Sequence, residues 1–356
     1  MIARVCLLSF VSLIVLAAID GQRRTRQINE DANRFCSWLK GNKLRNCLSH
    51  PLLGLSAREG VEEALKECRS HFTDRRWNCS GVTIADVFQN ERMLKADNRE
   101  SSYLQAVSSA GVAHQITRDC SKGTREECGC DNRPQGRGTA PGELSWEWGG
   151  CSDDFRYGIQ FSKDFMDPSR SSEKSLSYYV RRHNNDAGRR VIISKMDKTC
   201  KCHGVSGSCT VKVCWRTMPK MKAIATELRR KYEHAIKVKL NRNKTKLTRL
   251  SRGRRGRKSN KRNSNRRPSS SSLVYAEDSP DFCKPDSRYG ILGTHGRSCN
   301  KTSSGTAGCS QMCCGRGYNT VNRLDDVKCN CQFIWCCHVK CDWCKKEWVQ
   351  HTCKGD

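Results

Sequence analysis

The stretch Cys200-Lys-Cys-His-Gly-Val-Ser-Gly-Ser-Cys209 sets three cysteines, a histidine and two serines within ten positions, and Cys214 follows closely. Three chemistries compete for it. Cys200, Cys202, His203 and Cys209 together offer the thiolates and neutral imidazole that suit zinc, but oxidation along a secretory route argues against that ion. Gly204-Val-Ser206-Gly207-Ser208 approaches a nucleophile elbow. It lacks the second glycine at the required offset, and no acid–base partners are evident. The third chemistry is covalent modification of an accessible hydroxyl: glycines near Ser206 leave it open to a modifying enzyme. Nested pairs Cys200–Cys214 and Cys202–Cys209 make the segment a hairpin at 200–214. Their residue numbers sum to 414 and 411, so a bulge or irregular loop is expected. On the residues alone, a purely structural hairpin and an acceptor serine both stay open.

A second cluster lies near the C-terminus. Partners facing each other across an antiparallel pair have residue numbers of nearly constant sum. Cys329 with Cys344, Cys331 with Cys341, and Cys336 with Cys337 sum to 673, 672 and 673. One ladder with a one-residue irregularity accommodates all three, giving a stiff finger at 329–344. Its tip is Trp335-Cys336-Cys337-His338, closed by a disulfide between neighbours. A large aromatic on a rigid support is a typical binding anchor, and the tip position favours that role over burial for Trp335.

The elements that hold these hairpins follow from compartment and cysteine arithmetic. Arg4, the apolar run Val5–Ala18 and the small residues Ala17, Ala18 and Gly21 have the layout of a cleavable signal peptide, assigned to 1–21. Export places the remaining 24 cysteines where disulfides persist. Twelve lie from Cys36 to Cys214 and twelve from Cys283 to Cys353, with none between, which predicts two separately closed frameworks. No metal and no catalytic residue is expected. The net charge of +29 is concentrated: fifteen Lys or Arg and no acid lie from Lys237 to Arg267. In an exported chain this run reads as a flexible linker that attracts sulfated polysaccharide, with a cleavage site around Arg252–Arg255 as a further reading. Nucleic acid is excluded by compartment.

Helical periodicity marks the N-terminal part. Ser56-Ala-Arg-Glu59 reads as a capping box ahead of Val61, Leu65, Cys68 and Phe72. Tyr103–Asp119 is an Ala- and Ser-rich helix. Asp153–Phe165, Ser172–Ile193 and the stripe Met221, Ile224, Leu228, Tyr232, Ala235 complete the set. The fold class expected is α+β and disulfide-rich. A helical domain over 22–240 carries the hairpin, 241–281 is a basic flexible linker, and 282–356 is a small cystine-rich β-hairpin domain. Sequons stand at Asn78, Asn243 and Asn300.

These residues resemble the Wnt family of secreted, lipid-modified signalling glycoproteins across nearly the whole mature chain. The resemblance is carried by the 200–209 decapeptide and by Glu67-Cys-Arg-Ser-His-Phe72, Arg75-Arg-Trp-Asn-Cys79 and Trp148-Gly-Gly-Cys-Ser-Asp153. Cys309 with Cys313-Cys-Gly-Arg-Gly-Tyr318, and the tail Cys329-Asn-Cys-Gln-Phe-Ile-Trp-Cys-Cys-His-Val-Lys-Cys341, extend it. It implies a non-enzymatic developmental ligand with no cofactor beyond a palmitoleoyl ester on Ser206, added by a membrane-bound acyltransferase. It implies that Val205, Ser206 and Gly207, together with Phe333, Trp335, Cys336, Cys337 and Val339, contact the cysteine-rich domain of a Frizzled receptor. An LDL-receptor-related co-receptor, a lipid carrier during secretion and heparan sulfate would be further partners, in the extracellular space and matrix and at membranes through the lipid. The same resemblance implies pairs Cys68–Cys79, Cys120–Cys128, Cys130–Cys151, Cys283–Cys314, Cys299–Cys309 and Cys313–Cys353. Cys36 and Cys47 pair by elimination. Ile334 stands where many relatives carry histidine, and the length and basicity of the segment near Arg254 are atypical.

Overall fold

The structure, a computed structural model, describes residue 23 and residues 26–138, 145–169, 175–250 and 266–355. The apolar leader and the proposed cleavage site at Arg252–Arg255 lie outside the described residues. Two compact units form: Met1–Cys68 with Thr83–Ser279, and Arg69–Val82 with Pro280–Asp356.

The first unit is helical. In chain order its helices are α1 (26–38), α2 (Gly41–Ser49), α3 (Pro51–His71, whose last residues belong to the second unit), α4 (Ile84–Gln89), α5 (Arg99–Ser121), α6 (Phe155–Met166), α7 (Leu176–Ser194) and α8 (Met221–Glu233). The Ala- and Ser-rich α5 is buried along nearly its whole length. Small side chains on it let neighbours approach to backbone distance. A Cβ on Gly60 of α3 would sit 2.4 Å from the Gly111 carbonyl oxygen. One on Gly158 of α6 would meet Thr117 Oγ1 at 2.1 Å, and one on Gly188 of α7 would meet the Ala106 carbonyl at 2.0 Å. Gly188→Ala is therefore expected to cost about 2 kcal/mol or more through overpacking. Gly129→Ala, in open space, should stay within about 0.5 kcal/mol. Urea midpoints of the two secreted variants check both.

The expected capping box at Ser56 does not form. Helix α3 starts earlier, at Pro51, whose fixed φ and missing N–H suit a first turn. Ser56 is then buried mid-helix and its hydroxyl donates to the Leu52 carbonyl four residues back, 3.2 Å away. A reciprocal box exists instead at Thr83 and Asp86 ahead of α4. The other helical stripes are core as expected: Val61, Leu65 and Cys68 on α3, and Met221, Ile224, Leu228 and Tyr232 on α8, are buried.

The flexible-linker reading of 241–281 is corrected for its described residues, 241–250 and 266–281. Strand β5 (Ile236–Leu240) pairs antiparallel with β6 (Leu247–Arg249) and parallel with β7 (Val274–Tyr275). Val238, Leu247 and Val274 are buried against Val180 of α7. Asn184 of the same helix donates to the Val274 carbonyl and accepts from its N–H. At the end of this segment Ser279 donates to Glu100, which also accepts from Tyr232. Enough apolar surface alternates with the lysines to fold the described parts of the segment onto α7.

The second unit recruits Arg69–Val82, far from the rest of it in sequence. Trp77 packs edge-on to Phe72, ring centroids 5.0 Å apart. The Arg297 guanidinium donates to the carbonyls of Thr73, Arg75 and Arg76, and Arg76 donates to the Gln311 carbonyl. Strands β8 (Pro285–Asp286) and β9 (Ile291–Leu292) make a small hairpin, and α9 (Cys309–Met312) lies in a core of Cys309, Met312, Cys313 and Cys353. From there a ribbon of β11 (Tyr318–Ile334) and β12 (His338–Cys353) extends, with β10 (Ser298–Cys299) added at its base. Among the described residues no helix is long and apolar enough to cross a membrane.

Candidate functional site

The first hairpin consists of β3 (Asp197–His203) and β4 (Val211–Thr217). Its register holds from Asp197↔Thr217 through Cys200↔Cys214 to His203↔Val211, so the irregularity expected from the second cystine is confined to the loop 204–210. Cys200–Cys214 and Cys202–Cys209 are both bonded, which consumes the thiolates a zinc ion would need. The loop makes a single turn in which Ser206 takes a left-handed conformation, φ 59°, ψ 26°, followed by Gly207 at φ 77°. A non-glycine residue at positive φ is uncommon and here lifts Ser206 outward. Gly204 is required sterically: a Cβ there would lie 2.3 Å from Ser208 Oγ and 2.4 Å from its carbonyl. Val205 is 89% exposed beside it. Among the described residues no side chain is hydrogen-bonded to Ser206 Oγ. The hydroxyl is displayed on an exposed turn.

What steadies this hairpin is the Trp148–Asp153 motif. Strands β1 (Arg137–Gly138) and β2 (Trp146–Trp148) extend the sheet in the order β1-β2-β4-β3, with β2 parallel to β4. The Gly149 N–H donates to the Cys214 carbonyl, and a Cβ on Gly149 would be 2.7 Å from Val213 Cγ1. Asp153 N–H donates to the Arg216 carbonyl, Ser152 Oγ accepts from Arg216 N–H, and the Asp153 carboxylate accepts from Met218 N–H. Lys198 Nζ sits 4.1 Å from the centroid of the Trp146 ring. Cys130–Cys151 and Cys120–Cys128 staple the connecting loop to α5. The motif thus fixes the hairpin base along its β4 edge.

The second hairpin is the outer part of the β11–β12 ribbon. Its register runs from Tyr318↔Cys353 to Cys329↔Asp342, shifts by one at a bulge between Cys329 and Gln332, and resumes to Ile334↔His338. Cys329–Cys344 lies beside the bulge and Cys331–Cys341 spans the strands within it. The pairing expected between Cys336 and Cys337 does not occur, and both are exposed free thiols. After the shift the turn is centred on Cys336, so Cys337 opposes Trp335 and the two cysteines are consecutive turn residues at φ 78° and 75°. Trp335 is 88% exposed, and Phe333 and Val339, paired across the strands, are exposed behind it. Trp343 and Trp348 are also exposed. Trp343 lies against Lys328 and Trp348 Nε1 donates to Asp325, 2.6 Å away. Strand alternation, applied beyond the cysteines, would have found them.

The remaining cystines are Cys36–Cys47 in the first unit, and Cys283–Cys314, Cys299–Cys309 and Cys313–Cys353 in the second. Cys68 and Cys79 are disulfide-bonded as well. Sulfurs of Cys299, Cys313 and Cys353 lie within 4.8 Å of one another, but all three belong to disulfides. Of the sequons, Asn243 and Asn300 are exposed and Asn78 is half-buried.

A profile of the Wnt family matches residues 36–354, almost the whole described chain. The chain belongs to the Wnt family. A chain of the solved complex of human WLS with WNT8A is similar over 86% of this chain and 95% of that one, with TM-score 0.59 and 32% identity. The crystal structure of the Drosophila WntD N-terminal domain-linker has TM-score 0.43 and 23% identity, over 65% of this chain and 98% of that one. This Wnt-family member is therefore a signalling ligand of a secreted, developmental class, built as an α+β disulfide framework.

A buried histidine lies against the chain just beyond the hairpin base of this Wnt-family member. His114 of α5 is hydrogen-bonded through Nε2 to the Pro219 carbonyl, 3.0 Å away, just beyond β4. Burial, the largest cause, pushes its imidazole below the usual range, against the opposing pull of the Pro219 bond. Because the folded state then binds a proton less readily than the unfolded chain, stability is lost as pH falls through the unfolded histidine range near ~6.5. Burial depresses His183 of α7 in the same direction. We expect the urea midpoint to fall between pH 7.5 and 5.5, and His114→Gln to narrow that difference. An unchanged difference in the variant would remove His114 from the effect.

Proposed function

We propose that this ligand carries a palmitoleoyl ester on Ser206 and holds the cysteine-rich domain of a Frizzled receptor between its two hairpins. The observation that carries the reading is the display of Ser206: an exposed hydroxyl at positive φ on a loop closed by two cystines and gripped at its base. Acylation needs an accessible hydroxyl and an external catalyst. A membrane-bound acyltransferase would supply the base, Ser206 Oγ would attack an acyl thioester, the C–S bond would break, and the proton would pass to the departing thiolate. A fully buried acyl chain contributes about 0.8 kcal/mol per methylene, on the order of 10 kcal/mol in all. Such a group would keep the ligand at membranes or on a carrier, and WNT8A has been solved with WLS. Val205 and Gly207 would flank the lipid at the receptor surface.

In this reading Phe333, Trp335, Cys336, Cys337 and Val339 form the second contact, supported by the exposure of Trp335, Phe333 and Val339 on a cystine-braced ribbon. An LDL-receptor-related co-receptor would complete the complex. The basic segment would hold heparan sulfate, and Asn78, Asn243 and Asn300 would carry glycans. Peptide mass spectrometry of the secreted chain tests the lipid directly. An acyl mass on the peptide containing Ser206 supports the proposal, and an unmodified Ser206 in a chain that still binds the receptor domain refutes it.

A further inference from the structure

The β5–β6 hairpin presents a cationic surface that is folded in place. Its inward residues Val238 and Leu247 are buried, and it pairs on one side with β7, so its backbone is fixed at both strands. On the outside stand Lys239 and, at the tip, Arg242, Lys244 and Lys246, all exposed. The Arg249 N–H donates to the Arg266 carbonyl, 3.1 Å away, which brings the exposed Arg266 and Arg267 alongside β6. No carboxylate occurs in the sequence between Lys237 and Arg267, and Asp278 from beyond it pairs with Lys237, 2.7 Å away.

The tip also carries the Asn243-Lys244-Thr245 sequon. Its geometry separates two asparagines with different jobs. The Asn241 carboxamide oxygen accepts from the N–H groups of Thr245 and Lys246, at 2.8 and 2.9 Å, and so ties the turn together. Lys244 takes positive φ, 50°, at its apex. Asn243 takes no part in those bonds and is exposed. An N-glycan there would be bracketed by Arg242 and Lys244 and would lie over the same cations.

We propose that this hairpin is a preformed binding site for sulfated polysaccharide and that an N-glycan on Asn243 masks it. The inference rests on the polysaccharide reading given above and adds to it a fixed location and a covalent control. In the modification step Asn243 Nδ2 forms a bond to the anomeric carbon of a lipid-diphosphate-linked oligosaccharide. The bond from that carbon to the diphosphate oxygen breaks, and the amide proton passes to the departing lipid diphosphate. The charge pattern favours a sulfated chain because extended rows of cations bind repeating anions by multiple weak, salt-screened contacts. A bulky neutral glycan among the cations blocks close approach without changing their charge.

Heparin affinity chromatography of the full-length secreted protein in a salt gradient tests this, with site occupancy read by peptide mass spectrometry. Asn243→Gln should elute at higher salt than the parent, with affinity raised several-fold. The triple change Arg242→Glu, Lys244→Glu and Lys246→Glu should weaken binding about tenfold or more at physiological salt. Thr245→Ser, which keeps the acceptor sequence, should behave as the parent. An unoccupied Asn243, or an Asn243→Gln protein that elutes unchanged, overturns the masking. Unchanged elution of the triple variant overturns the site while leaving polysaccharide binding by the chain intact. Failure of the enzymatically deglycosylated parent to bind heparin at all overturns the underlying reading as well. Loss of binding to anionic lipid vesicles, with heparin binding unaffected by the triple variant, would reassign the surface to lipid.

Discussion

Ser206→Ala is expected to abolish receptor activation and to stop most of the protein leaving the cell, while every cystine still forms. The substitution removes one oxygen from a fully exposed turn. The residue accepts no packing load: no side chain among the described residues is hydrogen-bonded to it, and the hairpin register ends before it, at His203↔Val211. A change so small on the surface should alter folding stability by no more than about 0.5 kcal/mol. The loss of an acyl chain, by contrast, removes a contact worth on the order of 10 kcal/mol when buried. Reporter activity, secreted yield and alkylation of unreduced protein separate the two. Inactive protein with parental thiol count supports the lipid role, whereas parental signalling by Ser206→Ala would rule it out. A Ser206→Thr variant keeps a hydroxyl but adds a branched Cβ at positive φ, which should reduce acylation in proportion to the strain at that turn.

Much of this arrangement is readable from cysteine positions because antiparallel pairing fixes a sum. Asp197↔Thr217 and Cys200↔Cys214 share one sum, and the ladder of the ribbon needs only the single shift between Cys329 and Gln332. The same arithmetic misplaced the tip. It centres the turn between Cys336 and Cys337, whereas the shift at the bulge centres it on Cys336, so that Cys337 opposes Trp335. Composition likewise concealed β5 and β6. Ile236, Val238 and Leu240 alternate with Lys237 and Lys239, a period-two pattern that the density of cations made easy to pass over as linker. Two features had no local signal. The recruitment of Arg69–Val82 depends on Arg297 reaching carbonyls more than two hundred residues earlier in the chain. The close helix approaches at Gly60, Gly158 and Gly188 depend on which face each glycine happens to present to α5.

The two hairpins solve one physical problem in different ways. A protruding two-stranded ribbon is marginal by itself in water, so each needs a brace. The Ser206 hairpin is incorporated into a four-stranded sheet and held by the backbone of Gly149 and Asp153 and the Ser152 hydroxyl. Among the described residues the finger has no third strand beyond its base, where β10 adds only Ser298 and Cys299. Two cystines, one beside the bulge and one within it, replace that strand, and cross-strand pairs such as Asp325↔Lys346 and Asp326↔Lys345 add polar complementarity along it.

Trp335→Ala should weaken binding of the Frizzled cysteine-rich domain by about thirtyfold or more, corresponding to roughly 2 kcal/mol for loss of an aromatic anchor. The indole is 88% exposed in the free ligand, so its removal leaves no cavity and the fold should be unaffected. A change confined to the bound state is the mark of a contact residue. Phe333→Ala, one row behind the tip and paired with Val339, should cost less, because its ring is 70% exposed and part of its surface already rests on the ribbon. Trp343→Ala serves as the internal comparison: it removes an exposed indole of the same size from the same ribbon, away from the tip and against Lys328. Receptor-domain affinities of the three acylated variants, measured side by side, discriminate a tip-specific contact from general stickiness. Equal losses for Trp335→Ala and Trp343→Ala would spread the interface along the ribbon. No loss for Trp335→Ala would leave the lipid-bearing hairpin as the sole contact.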